Sequence, residues 1–193
     1  MSRTLIIVVV IAIALGMYGC SSYNGLVEKD TQVEKYWANV QTQYQRRSDL
    51  IPNLVRTVQG AANFEKSTLT AVIQARASAT GITLNADQLT PENIQKFQAA
   101  QDQLSGSLSR LLAVAESYPQ LRATQNFSEL QSQLEGTENR ITVARNDFNG
   151  AATGYNQSVR SFPNNIFAGV FGFARRGLFE ASKAAQSAPT VQF

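Results

Sequence analysis

The sequence contains no histidine and only one cysteine, Cys20. Metal sites that need several histidine or cysteine ligands from one chain are therefore excluded. The Ser-His and Cys-His pairs of nucleophilic catalysis are excluded for the same reason. The glycine-rich loops that hold phosphate and the acidic loop that holds calcium are also missing. From these absences we predict no cofactor, no metal site, no catalytic residue and no enzymatic activity.

Charge is also scarce, because only 16% of the 193 residues are charged and the net charge is +3. Lysine and arginine never form a run longer than two residues, so the basic surface that nucleic acid requires is absent. A weak positive charge is more typical of attraction to anionic lipid. We therefore predict membrane lipid, and no nucleic acid, among the partners. The length suits one domain with a sizeable core.

The N-terminus carries an apolar run over residues 5–17, preceded by one positive residue, Arg3. The run has the length of a signal-peptide core and is shorter than the roughly 20 residues of a spanning helix. Gly19 and Cys20 follow, and a small residue before cysteine is typical of a bacterial lipoprotein, in which the Cys20 thiol is acylated. The alternative is an uncleaved membrane helix with Tyr18 at the interface.

In either case residues 1–20 form a separate N-terminal segment. It is a signal peptide that ends at a lipoprotein cysteine, or it is an uncleaved membrane anchor. Both also place the bulk of the chain outside the cytoplasm, because Arg3 and the α-amino group favour the inside. The predicted location is the cell membrane or outer membrane of a bacterium, on the periplasmic face.

Three long segments carry apolar residues at alternating spacings of three and four, which predicts helices with coiled-coil seams. The first would run over about residues 24–79, the second from Pro91 to Pro119, and the third from about residue 123 to Pro163. The fold class predicted is all-α: an antiparallel bundle of three long helices behind an N-terminal membrane anchor. A kink at Pro52 in the long first helix would give four-helix packing. The bundle itself is assigned to residues 23–162.

Charge and proline interrupt the first seam. Its members are Val33, Trp37, Val40, Tyr44, Arg47, Ile51, Leu54 and Val58. Pro52 has no N–H and crowds the carbonyl of Ser48, so we expect a kink there, with Ser48 or Asn53 available to bond locally.

Arg47 lies on this apolar seam, and a buried guanidinium needs a partner. We predict that Arg47 or its neighbour pairs with Glu138 of the third segment, and that Asp49 meets Arg140 or Arg145. Such pairs would fix the register of the helices; a ligand-binding or catalytic site is the less favoured alternative. The predicted register residues are Arg46, Arg47, Asp49, Pro52, Glu138 and Arg140.

Residues 163–193 form a phenylalanine- and glycine-rich segment with a tail, over residues 184–193, that we predict to be disordered. One interpretation is a hydrophobic flap that covers the end or side of the bundle. The other is an interfacial contact with membrane or with a partner. The residues predicted for that contact are Phe167, Phe171, Phe173, Arg175 and Arg176.

Several stretches resemble the LemA family of bacterial envelope proteins. They are "YNGLV" at 23–27, "WANVQTQYQRRSDLIPNLVRTV" at 37–58, "NFSELQSQLEGTENRITVARNDFN" at 126–149, "YNQSVRSFPNNIFAGVFGF" at 155–173 and "FE" at 179–180. The resemblance implies a long-helix bundle with an N-terminal hydrophobic anchor, and it implies no catalytic residues.

The function expected is that of a membrane-anchored, non-enzymatic scaffold or adaptor of the cell envelope. Its partner would be another envelope protein or a second copy of the chain. An alternative is a membrane-binding or membrane-remodelling element that acts through the phenylalanine-rich segment. A hydrolase would need two carboxylates close together, and the spacing of the acidic residues does not favour such a pair.

Overall fold

A computed structural model of the chain describes residues 3–60 and 64–180. Those residues form six helices and contain no β-strand, which confirms the all-α prediction. The helices are α1 (Arg3–Gln59), α2 (Lys66–Gly81), α3 (Pro91–Ala115), α4 (Pro119–Arg122), α5 (Gln125–Arg160) and α6 (Asn164–Phe171), with a 3-10 turn at Ala86–Gln88. The predicted disordered tail, residues 184–193, lies outside the described residues.

The first predicted helix is two helices, and the break is not at Pro52. Helix α1 has 57 residues and continues through Pro52 to Gln59, a length of about 85 Å. Helix α2 begins at Lys66 and folds back along the end of α1. A proline removes only one helical hydrogen bond, so the helix continues where the freed carbonyl finds another donor. Four-helix packing therefore arises from the division of the predicted first helix into α1 and α2.

Helix α5 packs along α1, and α3 packs along α2. The start of α3 is fixed as its sequence predicts, because the Thr90 hydroxyl accepts a hydrogen bond from the Asn93 amide and Pro91 occupies the first helical position. The apolar side chains form two clusters along the bundle. One contains Ile51, Leu54, Val58, Leu104 and Leu111, and the other contains Trp37, Val40, Phe97, Phe148 and Tyr155.

The N-terminal part of α1 extends beyond the bundle. Its large apolar side chains over residues 5–13 are exposed, and the bundle core begins only at Ser22 and Leu26. By length and composition this part of α1 can cross a membrane, and a signal sequence has the same properties.

The chain after α5 returns across the bundle. Helix α6 lies against α1 and α5, and it ends at Gly172, whose φ of 77° is in the left-handed region. Residues 173–180, which we call the C-terminal strap, have no regular secondary structure. The strap contributes Phe179 to the core, so it packs as part of the bundle rather than beside it.

Candidate functional site

Arg47 lies in the core with only 1% of its surface exposed. Its Nη1 donates to Glu138 Oε2 at 3.1 Å and to Ser105 Oγ at 2.7 Å. Its Nη2 donates to both the backbone carbonyl and the side-chain oxygen of Gln101. The structure thus brings Arg47 to Glu138, as the seam predicts, and it adds two partners from α3 that the sequence did not indicate.

The guanidinium occupies a polar layer between the two apolar clusters. Gln101 and Thr137 are buried at the same level, each between apolar residues of its own helix. The Tyr44 ring lies 5.0 Å from Arg47 Cζ, and burial raises the pKa of Tyr44 to about 12. A slip of α3 or α5 by one turn would move Arg47 into apolar surroundings, so a role in register remains our prediction.

The carbonyl freed by Pro52 is bonded from another helix. Arg76 Nε of α2 donates to Ser48 O at 3.0 Å. Asn53 does not do this, since its side-chain oxygen accepts from Arg56 at 2.6 Å. Pro52 therefore creates an acceptor on α1 that docks α2, which explains how a proline is tolerated inside this long helix.

Arg76→Met is expected to lower the free energy of unfolding by about 1–2 kcal/mol, because Ser48 O loses its donor. In a Pro52→Ala background the alanine amide can bond that carbonyl, so the same change should cost about 1 kcal/mol less. Urea unfolding of the four chains in detergent micelles, followed by circular dichroism, measures this coupling. Exposed Arg56→Met is the control; equal losses in both backgrounds would contradict the docking role.

Asp49 does not meet Arg140 or Arg145, and this prediction was wrong. Its carboxylate accepts from Gln45 Nε2 at 2.7 Å on the solvent side of α1, and Arg145 is directed to the C-terminal strap. Arg46 and Arg140 are exposed. Two residues along a helix correspond to about 200°, so Asp49 and the buried guanidinium lie on different faces.

The C-terminal strap lies between α3 and α5 and is held by side-chain amides. Each of three amides donates its N–H to a strap carbonyl and accepts from the amide N–H of the same strap residue. The pairs are Gln98 with Glu180, Asn149 with Phe179, and Asn156 with Arg176, at 2.8–3.0 Å. This two-way pairing fixes an extended backbone without a neighbouring strand.

Phe179 is the apolar anchor of the strap, with 6% of its surface exposed. Its ring centroid lies 5.6 Å from that of Phe148 and 6.1 Å from that of Trp37. Arg145 Cζ is 4.6 Å from the Phe179 centroid on another side. This aromatic cluster gives the strap a defined position along the groove.

Arg176 is not free to contact lipid headgroups, and that prediction was wrong. Its Nε and Nη2 donate to the two carboxylate oxygens of Asp30 at 2.9 and 2.8 Å, and Nη1 donates to Ala86 O at 2.8 Å. Little of either side chain is exposed, 14% for Arg176 and 18% for Asp30. The adjacent Arg175 is exposed.

Tyr155 joins the strap to α5. Its hydroxyl donates to Ala174 O at 3.0 Å, and Arg176 Cζ lies 5.7 Å from its ring centroid. Burial, together with the negative charge of Asp30, raises the pKa of Tyr155 to about 12. The hydroxyl therefore keeps its proton for this bond through neutral pH.

Helix α6 packs on α1 where the apolar run ends. The hydroxyls of Tyr18 and Ser22 lie within hydrogen-bond distance, 3.1 Å, of Asn164 Oδ1. Gly19 permits the approach, since a Cβ there would lie 3.0 Å from the Phe167 ring. Phe167 is thus half-buried against α1 rather than free for a partner.

An apolar stripe remains exposed beside this contact. Phe162, Ile166 and Val170 are spaced by four residues and are 81%, 55% and 75% exposed. Phe171 is also exposed, with its ring centroid 5.0 Å from that of Tyr23. Phe173, by contrast, packs against the core. The contact residues predicted from the sequence therefore divide between the interior and this surface.

A family model described as "LemA family" matches residues 36–193. The chain belongs to the LemA family. The match confirms the resemblance that the sequence motifs carried. The apolar N-terminal part of α1 is consistent with a membrane location.

Named relatives fall in two groups. Magnetosome proteins MamQ 1 and MamQ 2 of Paramagnetospirillum magneticum are each 28% identical over 181 residues, covering 84% of this chain and 66% of the relative. Protein LemA of Metamycoplasma hominis is 24% identical over 160 residues, covering 83% of this chain and 69% of the relative. This LemA-family chain therefore spans slightly less than two thirds of the MamQ length.

The amides that hold the strap were not predicted from the sequence, although a signal exists. Asn149 and Asn156 are seven residues apart, and each directly follows a buried aromatic residue, Phe148 or Tyr155. Polar residues repeated beside the seam at heptad spacing lie on one edge of the helix. That repeat predicts a line of polar contacts along one edge of α5, and in the structure the strap makes those contacts.

Proposed function

We propose that this LemA-family chain is a membrane-tethered, non-enzymatic scaffold of the bacterial cell envelope, with helix α6 resting on the lipid surface. The observation that carries the proposal is the exposed stripe of Phe162, Ile166 and Val170. Ile166 and Val170 lie on α6 and Phe162 lies just before it, and α6 packs against α1 where the apolar run ends.

The dimensions of α1 support this placement. Residues 4–23 would be about 30 Å long as a helix, which is the thickness of a bilayer core. The last part of that length carries Tyr18 and Ser22, which contact α6. Helix α6 therefore lies at the depth of the interface, where exposed apolar side chains are stabilised by lipid.

The proposal also covers the orientation of the chain in the membrane, its location in the cell and its lack of enzymatic activity. Arg3 favours the cytoplasmic side, which would place the bundle on the periplasmic face of the cell membrane or, with an acylated Cys20, at the outer membrane. The lack of histidine and the single cysteine support a non-enzymatic role. The partners proposed are membrane lipid and either another envelope protein or a second copy.

The tether is tested by isolating membranes and washing them with sodium carbonate. We expect the chain to stay in the membrane fraction, since its apolar run or an acylated cysteine holds it there. The intact mass then distinguishes the two tethers: 21.1 kDa indicates a retained helix, and a shorter, acylated chain beginning at Cys20 indicates a lipoprotein. Recovery of an unmodified chain in the soluble fraction would contradict the proposal.

The exposed stripe also favours a second candidate function, remodelling of the membrane by α6. This candidate expects reconstituted chain to change vesicle size, and the change to be lost in Ile166→Asp/Val170→Asp. Val143→Asp is the matched control, because Val143 is 59% exposed on α5 away from α6. Unchanged vesicle size by light scattering would leave the scaffold as the function.

A further inference from the structure

The C-terminal strap is bound as a peptide ligand is bound by a receptor. The bundle accepts hydrogen bonds from the backbone amides of four strap residues, 176, 177, 179 and 180. Three of the acceptors are side-chain amides, and the fourth is Leu89 O at 2.7 Å. Main-chain hydrogen bonds of this kind bind any extended peptide, while side-chain pockets select its sequence.

Three pockets select the strap sequence. Asp30 takes the guanidinium of Arg176 in a two-pronged ion pair. At position 177 only glycine fits, because a Cβ on Gly177 would lie 2.8 Å from Pro91 Cα and Thr90 O. The aromatic cluster of Trp37 and Phe148 binds Phe179. Leu178, between Gly177 and Phe179, is 40% exposed and is not selected. The groove is therefore specific for an extended Arg-Gly-x-Phe segment.

One side of the strap borders open space. A cavity of about 1270 Å³ lies along it, lined by α3 residues on one side and by residues 175–180 on the other. Gly172, with its φ of 77°, joins the strap to α6 and supplies a flexible connection. Release would break the hydrogen bonds of the strap and withdraw Phe179 from the core cluster, while the contacts between the helices would stay in place.

We propose that the groove is a peptide-binding site whose partner is a second copy of this chain, with the two copies exchanging their C-terminal straps. A second copy carries the same Arg-Gly-x-Phe segment, so every contact made within one chain is reproduced between two. The inference rests on the proposed tether in one respect: anchoring holds the grooves of both copies at one height and raises their effective concentration.

The test uses two full-length variants reconstituted together in vesicles. The donor carries Asn149→Ala/Asn156→Ala, which weakens its own groove, and p-benzoylphenylalanine in place of Leu178. The acceptor carries Arg176→Ala/Phe179→Ala, which frees its groove. After illumination we expect a crosslinked dimer at least tenfold above that formed with an acceptor that also carries Asn149→Ala/Asn156→Ala. Crosslinked peptides should map to α3 or α5 of the acceptor.

A second measurement leaves the residues of the groove unchanged, so its result does not depend on substitutions there. In chains changed only at position 178, a synthetic peptide of residues 173–180 should reduce dimer crosslinking at least tenfold, and the same peptide with Phe179→Ala should not. Crosslinks confined to single chains, in variants whose helical circular dichroism is retained, would overturn strap exchange. Flotation of the same vesicles reports on the tether separately, so failure of one proposal is not mistaken for failure of the other.

Discussion

Arg47→Met is expected to lower the free energy of unfolding of the bundle by about 3 kcal/mol. Methionine fills much of the arginine volume, but the change leaves the buried oxygens of Gln101 without a charged donor and removes the hydrogen bond to Ser105. An unsatisfied buried acceptor costs about 1–3 kcal/mol, and a hydrogen bond to a charged group contributes about 1.5–3 kcal/mol. Urea unfolding in micelles, followed by circular dichroism, measures the loss.

The matched control is Arg46→Met, one residue earlier and exposed, for which we expect a change below about 0.5 kcal/mol. Glu138→Gln should cost about 1 kcal/mol, because half of the Glu138 side chain, 51%, is exposed and solvent weakens the pair. A double-mutant cycle on Arg47 and Glu138 should give a coupling of similar size. Equal effects of the Arg47 and Arg46 changes would contradict the polar layer.

Phe179→Ala is expected to release the C-terminal strap from the bundle. Truncation of a buried phenylalanine costs about 3 kcal/mol or more, and most of this loss acts on the strap alone. Amide hydrogen exchange at residues 177, 179 and 180 should therefore accelerate about 100-fold, while exchange in the middle of α5 changes little. Mass spectrometry of the exchanged peptides measures both regions in one experiment.

Leu178→Ala is the control for this prediction, since Leu178 is adjacent and 40% exposed. It should leave strap exchange within about twofold of the unchanged chain. Uniform acceleration across α1 and α5 in Phe179→Ala would mean that the strap is inseparable from the bundle. Strap exchange between copies would then be contradicted too.

The heptad seams predicted the helices well because buried faces dictate apolar spacing directly. Position alone places Arg47 on the seam and predicts that Arg47 or Arg46 pairs with Glu138; the structure shows that Arg47 does so. The division between α1 and α2 is not predicted, because apolar residues at helical spacing occur on both sides of it and Pro52 is the stronger local signal. That signal is misleading, because Arg76 of α2 donates to the Ser48 carbonyl that Pro52 leaves without a helical partner. No local sequence pattern reveals this contact between helices.

The sequence alone does not show which phenylalanines near the C-terminus are buried and which are exposed. Phe162 faces solvent and Phe179 lies in the core, yet both occur in a stretch that glycines interrupt, so no periodicity separates them. Arg175 and Arg176 show the same limit: only the position of Asp30, far along α1, decides which of them is paired. Long-range partners, rather than residue type, determine these roles.

Fluorescence quenching by lipid measures directly whether α6 touches the membrane. A fluorescent amino acid is placed at position 170 in one full-length chain and at position 143 in another, and both are reconstituted with brominated lipids. Val170 and Val143 are both exposed apolar positions, 75% and 59%, but only Val170 lies on α6. We expect strong quenching at 170 and little at 143. Absence of quenching at 170, or equal quenching at both, would contradict the proposed contact of α6 with lipid.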